Sequence, residues 1–191
     1  MKVKKFPSSE AVEQELKREQ YKQRYKKTMR STVFALITAA AAAVLVATLW
    51  LPVLRIYGTS MEPTLKEGQI VISMKDGQLE TGDIVAFYYG NKVLLKRCIA
   101  GPGSIVEILE DGTVIVDGNI LEEPYLTEKS YGICDLEFPY QVPDASYFLL
   151  GDLRATSVDS RHSTVGCVSE EQIVGKIVYR VWPFEDFGSI E

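Results

Sequence analysis

The chain has 191 residues, 46% of them apolar, with a net charge of −5. That excludes a disordered chain and allows one domain of ordinary size plus extra segments. The charge is unevenly spread: residues 1–30 carry ten Lys/Arg against four Asp/Glu, a balance of +6, and the remainder carries −11. A basic tail on an acidic body would suit nucleic acid, but this tail abuts an apolar run, and a membrane explains both features together.

Residues 1–31 read as a basic cytoplasmic segment. Pro7-Ser8-Ser9 ahead of Glu10 and Glu13 resembles a helix start, and Val12, Leu16, Tyr21 and Tyr25 form only a thin apolar stripe. The uncharged run Thr32–Leu54 follows. Its 23 residues as a helix would span about 30 Å or slightly more, the thickness of a hydrocarbon core. A cleavable leader has a shorter apolar region, and a buried helix rarely needs such uniformity, so the reading is a transmembrane helix over 32–54. Lys26, Lys27 and Arg30 on its N-terminal flank place the N-terminus in the cytoplasm and residues 55–191 outside it, with Trp50 at the far interface and Pro52 at the exit.

From Gly68 onward, short β-branched runs alternate with Gly, Asp and Asn. Strands are expected at Gln69–Ser73, Ile84–Tyr89, Lys92–Ala100, Val106–Leu109, Thr113–Val116, Asn119–Leu121, Tyr147–Leu150 and Ile173–Trp182, with a hairpin turn at Gly90-Asn91 and others at Asp111-Gly112 and Asp117-Gly118. The fold class is mostly β: an antiparallel β-rich domain anchored by one N-terminal transmembrane helix. Cys98, Cys134 and Cys167 leave one disulfide or none open, and their spacing predicts no metal site. Trp182, Phe184 and Phe187 are read either as core or as a membrane-surface edge.

Two residues point to chemistry. Ser60 sits between Gly58 and Pro63, where a serine is ordinarily a turn former. Lys96 lies mid-strand, sharing a face with Leu94, Cys98 and Ala100. Buried there, its ammonium would be disfavoured and its neutral amine could serve as a base; at an edge it would reach water instead. A Ser/Lys pair needs no histidine, and the lone His162 reads as a loop residue.

Four stretches in order resemble the type I bacterial signal peptidases, membrane-anchored Ser/Lys endopeptidases, in their single-span Gram-positive form. They are Ser60-Met61-Glu62-Pro63-Thr64-Leu65, Gly82-Asp83-Ile84-Val85, Lys96 through Gly103, and Gly151 through Arg161. The resemblance implies Ser60 as nucleophile, Lys96 as general base and Ser157 as hydrogen-bond partner of the Lys96 amine. It also implies Asp152 paired with Arg97, and Asp159 with Arg161, as supports, each of which would otherwise read as an ordinary polar loop residue. Ile56, Gly58, Met61, Leu65 and Leu95 would form the substrate site. The implied function is removal of signal peptides after small residues (Ala-x-Ala). The implied partners are secretory preproteins delivered by the translocase and membrane lipid, with no nucleic acid, cofactor or metal. Two departures stand out: Leu153 where the family often has Asn, and Gly58 where some members carry an oxyanion-binding Ser. The alternatives are a non-catalytic scaffold in pilus or surface-protein assembly, and a tethered binding module. Self-cleaving repressors of the SOS response use a similar pair but lack a span.

Overall fold

The computed structural model describes residues 9–75 and 79–190, in two compact units, Met1–Thr48 and Leu49–Glu191. The Pro7-Ser8 start signal lies outside the described residues, as does the side chain of Trp50.

Helix α1 spans Ser9–Trp50. Its polar half is laced by Lys17–Glu13, Arg18–Glu15 and Lys22–Glu19 pairs at helical spacing, exposed contacts that each contribute only a few tenths of a kcal/mol. Val12, Leu16, Tyr21 and Tyr25 are all exposed. The uncharged half exposes Val33, Phe34, Leu36, Ile37, Val44 and Leu45, and the helix is long and apolar enough to cross a membrane. It is shorter at its C-terminal end than the expected 32–54 span. Pro52 cannot continue a helix, and Val53 and Leu54 instead open a strand, their apolar character serving a sheet.

Among the described residues twelve strands follow: β1 Val53–Arg55, β2 Ile70–Met74, β3 Ile84–Tyr89, β4 Lys92–Ala100, β5 Ile105–Ile108, β6 Val114–Val116, β7 Asn119–Ile120, β8 Tyr140–Gln141, β9 Ser146–Leu150, β10 Val168–Ser169, β11 Ile173–Trp182 and β12 Gly188–Ser189. The larger sheet runs β1-β2-β11-β3-β4-β9-β10, with β12 paired to β11, and the smaller runs β7-β6-β5-β8. Every ladder is antiparallel. The Gly90-Asn91 turn sets β3 against β4 so that Ile84 faces Arg97 and Val85 faces Lys96.

The larger sheet is apolar on both faces. Ile56, Met61, Leu65, Val71, Ile84, Ala86 and Ile177 form one core, with Val93 and Leu95 packed on it. Val85, Phe87, Cys98, Tyr147, Leu149 and Val168 form a second. A third joins the two sheets through Ile99, Ala100, Val106, Ile108, Val114 and Phe148. Strand β4 is therefore central and covered on both sides from Lys96 to Ala100. Lys96 does not reach water, as the edge-strand alternative would require.

One asymmetry of β4 matters for the site. Strand β9 accompanies it only from Arg97 to Ala100. The half from Lys92 to Lys96 has a ladder with β3 on one side and, among the described residues, an unpaired edge on the other.

Candidate active site

Ser60 lies in the turn that follows β1. Before it, the chain is held by Ile56 N–H to the Gln69 carbonyl and Gly68 N–H to the Ile56 carbonyl, both 2.9 Å. After it, Glu62 N–H bonds the Thr59 carbonyl (2.9 Å) and Leu65 N–H the Met61 carbonyl (2.8 Å). The turn is further clamped by Leu153 N–H, which donates to the Ser60 carbonyl at 3.0 Å. Because that contact uses backbone alone, Leu153 performs it as well as an asparagine would.

The Lys96 Nζ lies 2.7 Å from Ser60 Oγ, although 36 residues separate the two in sequence. Lys96 is only 3% exposed. Burial pulls its pKa down to about 8; the carboxylates of Asp159 and Asp152 oppose that shift and the Arg161 guanidinium adds to it. The neutral amine, a minority form at pH 7 but far more populated than in a solvated lysine, lies within reach of the hydroxyl proton.

Around the pair stand buried arginine–carboxylate couples. Arg97 donates to Asp152 from Nε (3.0 Å) and Nη2 (2.8 Å), and Nη1 donates to the Gly82 carbonyl (2.7 Å). Thr64 Oγ1 donates to the same carboxylate at 2.5 Å. Arg161 binds Asp159 from Nε (2.8 Å) and Nη2 (2.9 Å), and the second Asp159 oxygen accepts the Gly151 N–H at 3.0 Å. Arg161 also donates to the carbonyls of Tyr131 and Arg154. Both expected support pairs are thus formed, each bidentate and buried.

Ser157 requires a correction. Its hydroxyl is buried without a hydrogen-bond partner, so the expected bond to Lys96 is absent. Lys96 Nζ is directed to Ser60, while Ser157 is seated over Gly151. A Cβ on Gly151 would collide with Ser157 Oγ and, at 2.7 Å, with the Ser60 carbonyl. Gly151→Ala must therefore displace the serine turn. We expect a rate loss on the order of 10²-fold from misplacement, read from single-turnover cleavage, in a variant that still unfolds cooperatively.

A small cleft of roughly 60 Å³ adjoins Ser60. It is lined by Ile56, Gly58 and Met61 on one side and Val93, Leu94 and Leu95 on the other, with Arg55 and Tyr57 at its margin. Four of the five expected substrate residues are there; Leu65 is not. It is fully buried in the core behind Met61, because the turn after Ser60 directs it inward. Gly58 has φ +83°, a region that side chains disfavour, so a serine at this position would be strained even though nothing crowds the space.

Other expectations resolve simply. Cys98, Cys134 and Cys167 are free thiols, and burial raises the Cys98 pKa to about 12, an inert packing residue. His162 is a loop residue, its Nδ1 3.0 Å from Thr164 Oγ1 and 3.8 Å from Asp135. Trp182, Phe184 and Phe187 are exposed, with Trp182 edge-on to Phe184 at 5.0 Å, so they are not core. A third buried couple, Arg154 with Glu123, was not anticipated. Glu122-Glu123-Pro124-Tyr125 reads as an ordinary polar turn, and no local pattern marks it.

Comparison with known proteins gives a consistent picture. Residues 29–182 match the family model described as signal peptidase, peptidase S26. The chain is 38% identical over 152 residues to a signal peptidase IB of Staphylococcus aureus, covering 69% of this chain and 78% of that protein. It is 34% identical over 163 residues to a signal peptidase I of Bacillus amyloliquefaciens, covering 78% and 83% respectively. A crystal structure of a signal peptidase I from Enterococcus faecalis aligns with TM-score 0.45 at 30% identity, over 52% of this chain and 96% of that one.

Proposed function

The chain belongs to the signal peptidase family, peptidase S26, and from that membership we infer that it removes signal peptides from secretory preproteins, with Ser60 as nucleophile and Lys96 as general base. The observation that carries the assignment of roles is the 2.7 Å contact between a buried lysine amine and the serine hydroxyl.

The reaction is acyl transfer. Neutral Lys96 takes the Ser60 proton as Oγ attacks the scissile carbonyl, and a tetrahedral oxyanion forms. Its collapse breaks the C–N bond, and the Lys96 ammonium gives the proton to the departing amine of the mature protein. A water, deprotonated by the same amine, then cleaves the Ser60 ester and releases the signal peptide. Backbone N–H groups of the Ser60 turn stabilise the oxyanion, since Gly58 has no hydroxyl to offer.

The substrate lies extended along the unpaired edge of β4 at Val93–Leu95, opposite Ile56–Gly58, as an added strand. The small cleft accepts Ala-sized side chains at the first and third positions before the cut. Helix α1 anchors the enzyme in the cell membrane, with the basic residues 1–31 in the cytoplasm and the β-rich unit outside, where the translocase delivers preproteins. The exposed aromatic edge at Trp182, Phe184 and Phe187 suits contact with lipid headgroups.

Cleavage of a preprotein bearing an Ala-x-Ala site by the detergent-solubilised full chain, read by mass spectrometry, tests this. One cut after the second Ala, lost in Ser60→Ala, is the expected result. A folded wild type that cuts none of several preproteins would favour the scaffold reading.

A further inference from the structure

The third buried couple has no role in the reaction so far described, yet it touches the supports of both reacting residues. Arg154 folds back over its own turn: Nε donates to the Gly151 carbonyl at 3.0 Å, and the Nη atoms grip Glu123, Nη1 at 3.1 Å and Nη2 more closely. Its carbonyl accepts from Arg161 at 2.9 Å. The side chains are 1% and 0% exposed. The turn that Arg154 braces supplies the Leu153 N–H on the Ser60 carbonyl and the Asp152 carboxylate on Arg97.

Two residues along, Tyr125 reaches the other half of the site. Its hydroxyl donates to Glu123 Oε1 at 3.0 Å, and its ring lies under the Arg97 guanidinium, 3.8 Å from ring centre to Cζ. Burial and the Glu123 carboxylate both raise the phenol's pKa, so it stays a donor. Arg97 directly follows Lys96 in β4. Glu123-Pro124-Tyr125 thus forms a strap, arriving from the smaller sheet after β7, with one end on Arg154, whose turn holds the Ser60 carbonyl, and the other on Arg97 of the lysine strand.

We propose that Glu123 and Tyr125 are positioning residues that hold Ser60 and Lys96 in register, making the strap after β7 a working part of the catalytic centre. The inference rests on the reading of Ser60 and Lys96 as the reacting pair. Neither strap residue lines the cleft, so substrate binding should be insensitive to them. A single deletion leaves a buried charge unpaired, whereas removing both partners spares the fold but not the brace.

The test is steady-state cleavage of an Ala-x-Ala peptide by the full chain in detergent, with thermal unfolding in parallel. In Glu123→Ala, kcat should fall on the order of 10²-fold while KM stays within about twofold. In Tyr125→Phe, loss of one hydrogen bond to a charged acceptor should lower kcat about tenfold. Glu123→Leu combined with Arg154→Met should recover the melting temperature of the wild type but not its kcat. Recovery of both together, or full kcat in folded Glu123→Ala, would overturn the proposal. Should Glu123→Ala not fold, Tyr125→Phe decides, and an unchanged kcat there overturns it. A wild type that does not cleave would remove the reading of the site, and this inference with it. An active wild type, a dead Ser60→Ala and strap variants at full kcat would remove the inference alone.

Discussion

Lys96→Arg is expected to abolish turnover, with a loss on the order of 10⁴-fold or more, although it keeps charge and approximate length. A guanidinium does not lose its proton in proteins, so the variant has no base to offer Ser60. The loss should match that of Ser60→Ala, because the two act as a unit and removing either removes the step. The wild type should show an acid limb near pH 8, where half of Lys96 is ammonium, with the rate rising toward alkaline pH. Stability should rise in the same direction. The folded pKa lies below the usual lysine value, so below pH 8 the fold carries a buried ammonium that the unfolded chain would solvate. That penalty is full below pH 8 and is relieved as pH rises toward the unfolded pKa. Lys96→Met should therefore be inactive yet more stable at pH 7, by up to about 3 kcal/mol. Retained cleavage in Lys96→Arg would dismiss Lys96 as the base.

Asp152→Asn should be the most damaging change that touches neither reacting residue. It leaves the Arg97 guanidinium buried at 2% exposure with no countercharge, a loss of about 3–5 kcal/mol, read as a lower urea midpoint at constant slope. The Asp152 carboxylate also raises the Lys96 pKa, so its removal should move the acid limb below pH 8 in whatever folded enzyme remains. A midpoint within 1 kcal/mol of wild type would mean that Arg97 finds its counterion elsewhere.

How far the sequence led is clearest strand by strand. Strands β3, β4 and β11 have the expected ends, because Gly-Asn, Gly-Asp and proline punctuate them locally. Strand β1 was absorbed into the apolar run, since Val53 and Leu54 serve lipid and sheet core equally well. The two-residue strands β8, β10 and β12 exist only through partners distant in sequence, and their own residues carry no period. The site divides along the same line. Ser60, Lys96 and the two support pairs were legible through motifs, but not the direction of a side chain. Leu65 points into the core and Ser157 away from a hydrogen bond, and neither orientation follows from spacing. Glu123 and Tyr125 stayed hidden because their partners lie 31 and 28 residues away, in other elements.

The unpaired edge of β4 has a consequence for the proteins sharing this enzyme's compartment. A segment can align there only if its own backbone donors and acceptors are free. A helix, or a strand already inside a sheet, has spent them. Selection thus acts on conformation ahead of sequence. With the substrate seated as proposed, an Ala-x-Ala held within a finished fold is not expected to be cut, while the same residues in an extended segment are. On that proposed reading, discrimination between newly arrived and mature proteins needs no recognition of either; it follows from one edge of β4 that no second strand covers before Arg97 among the described residues.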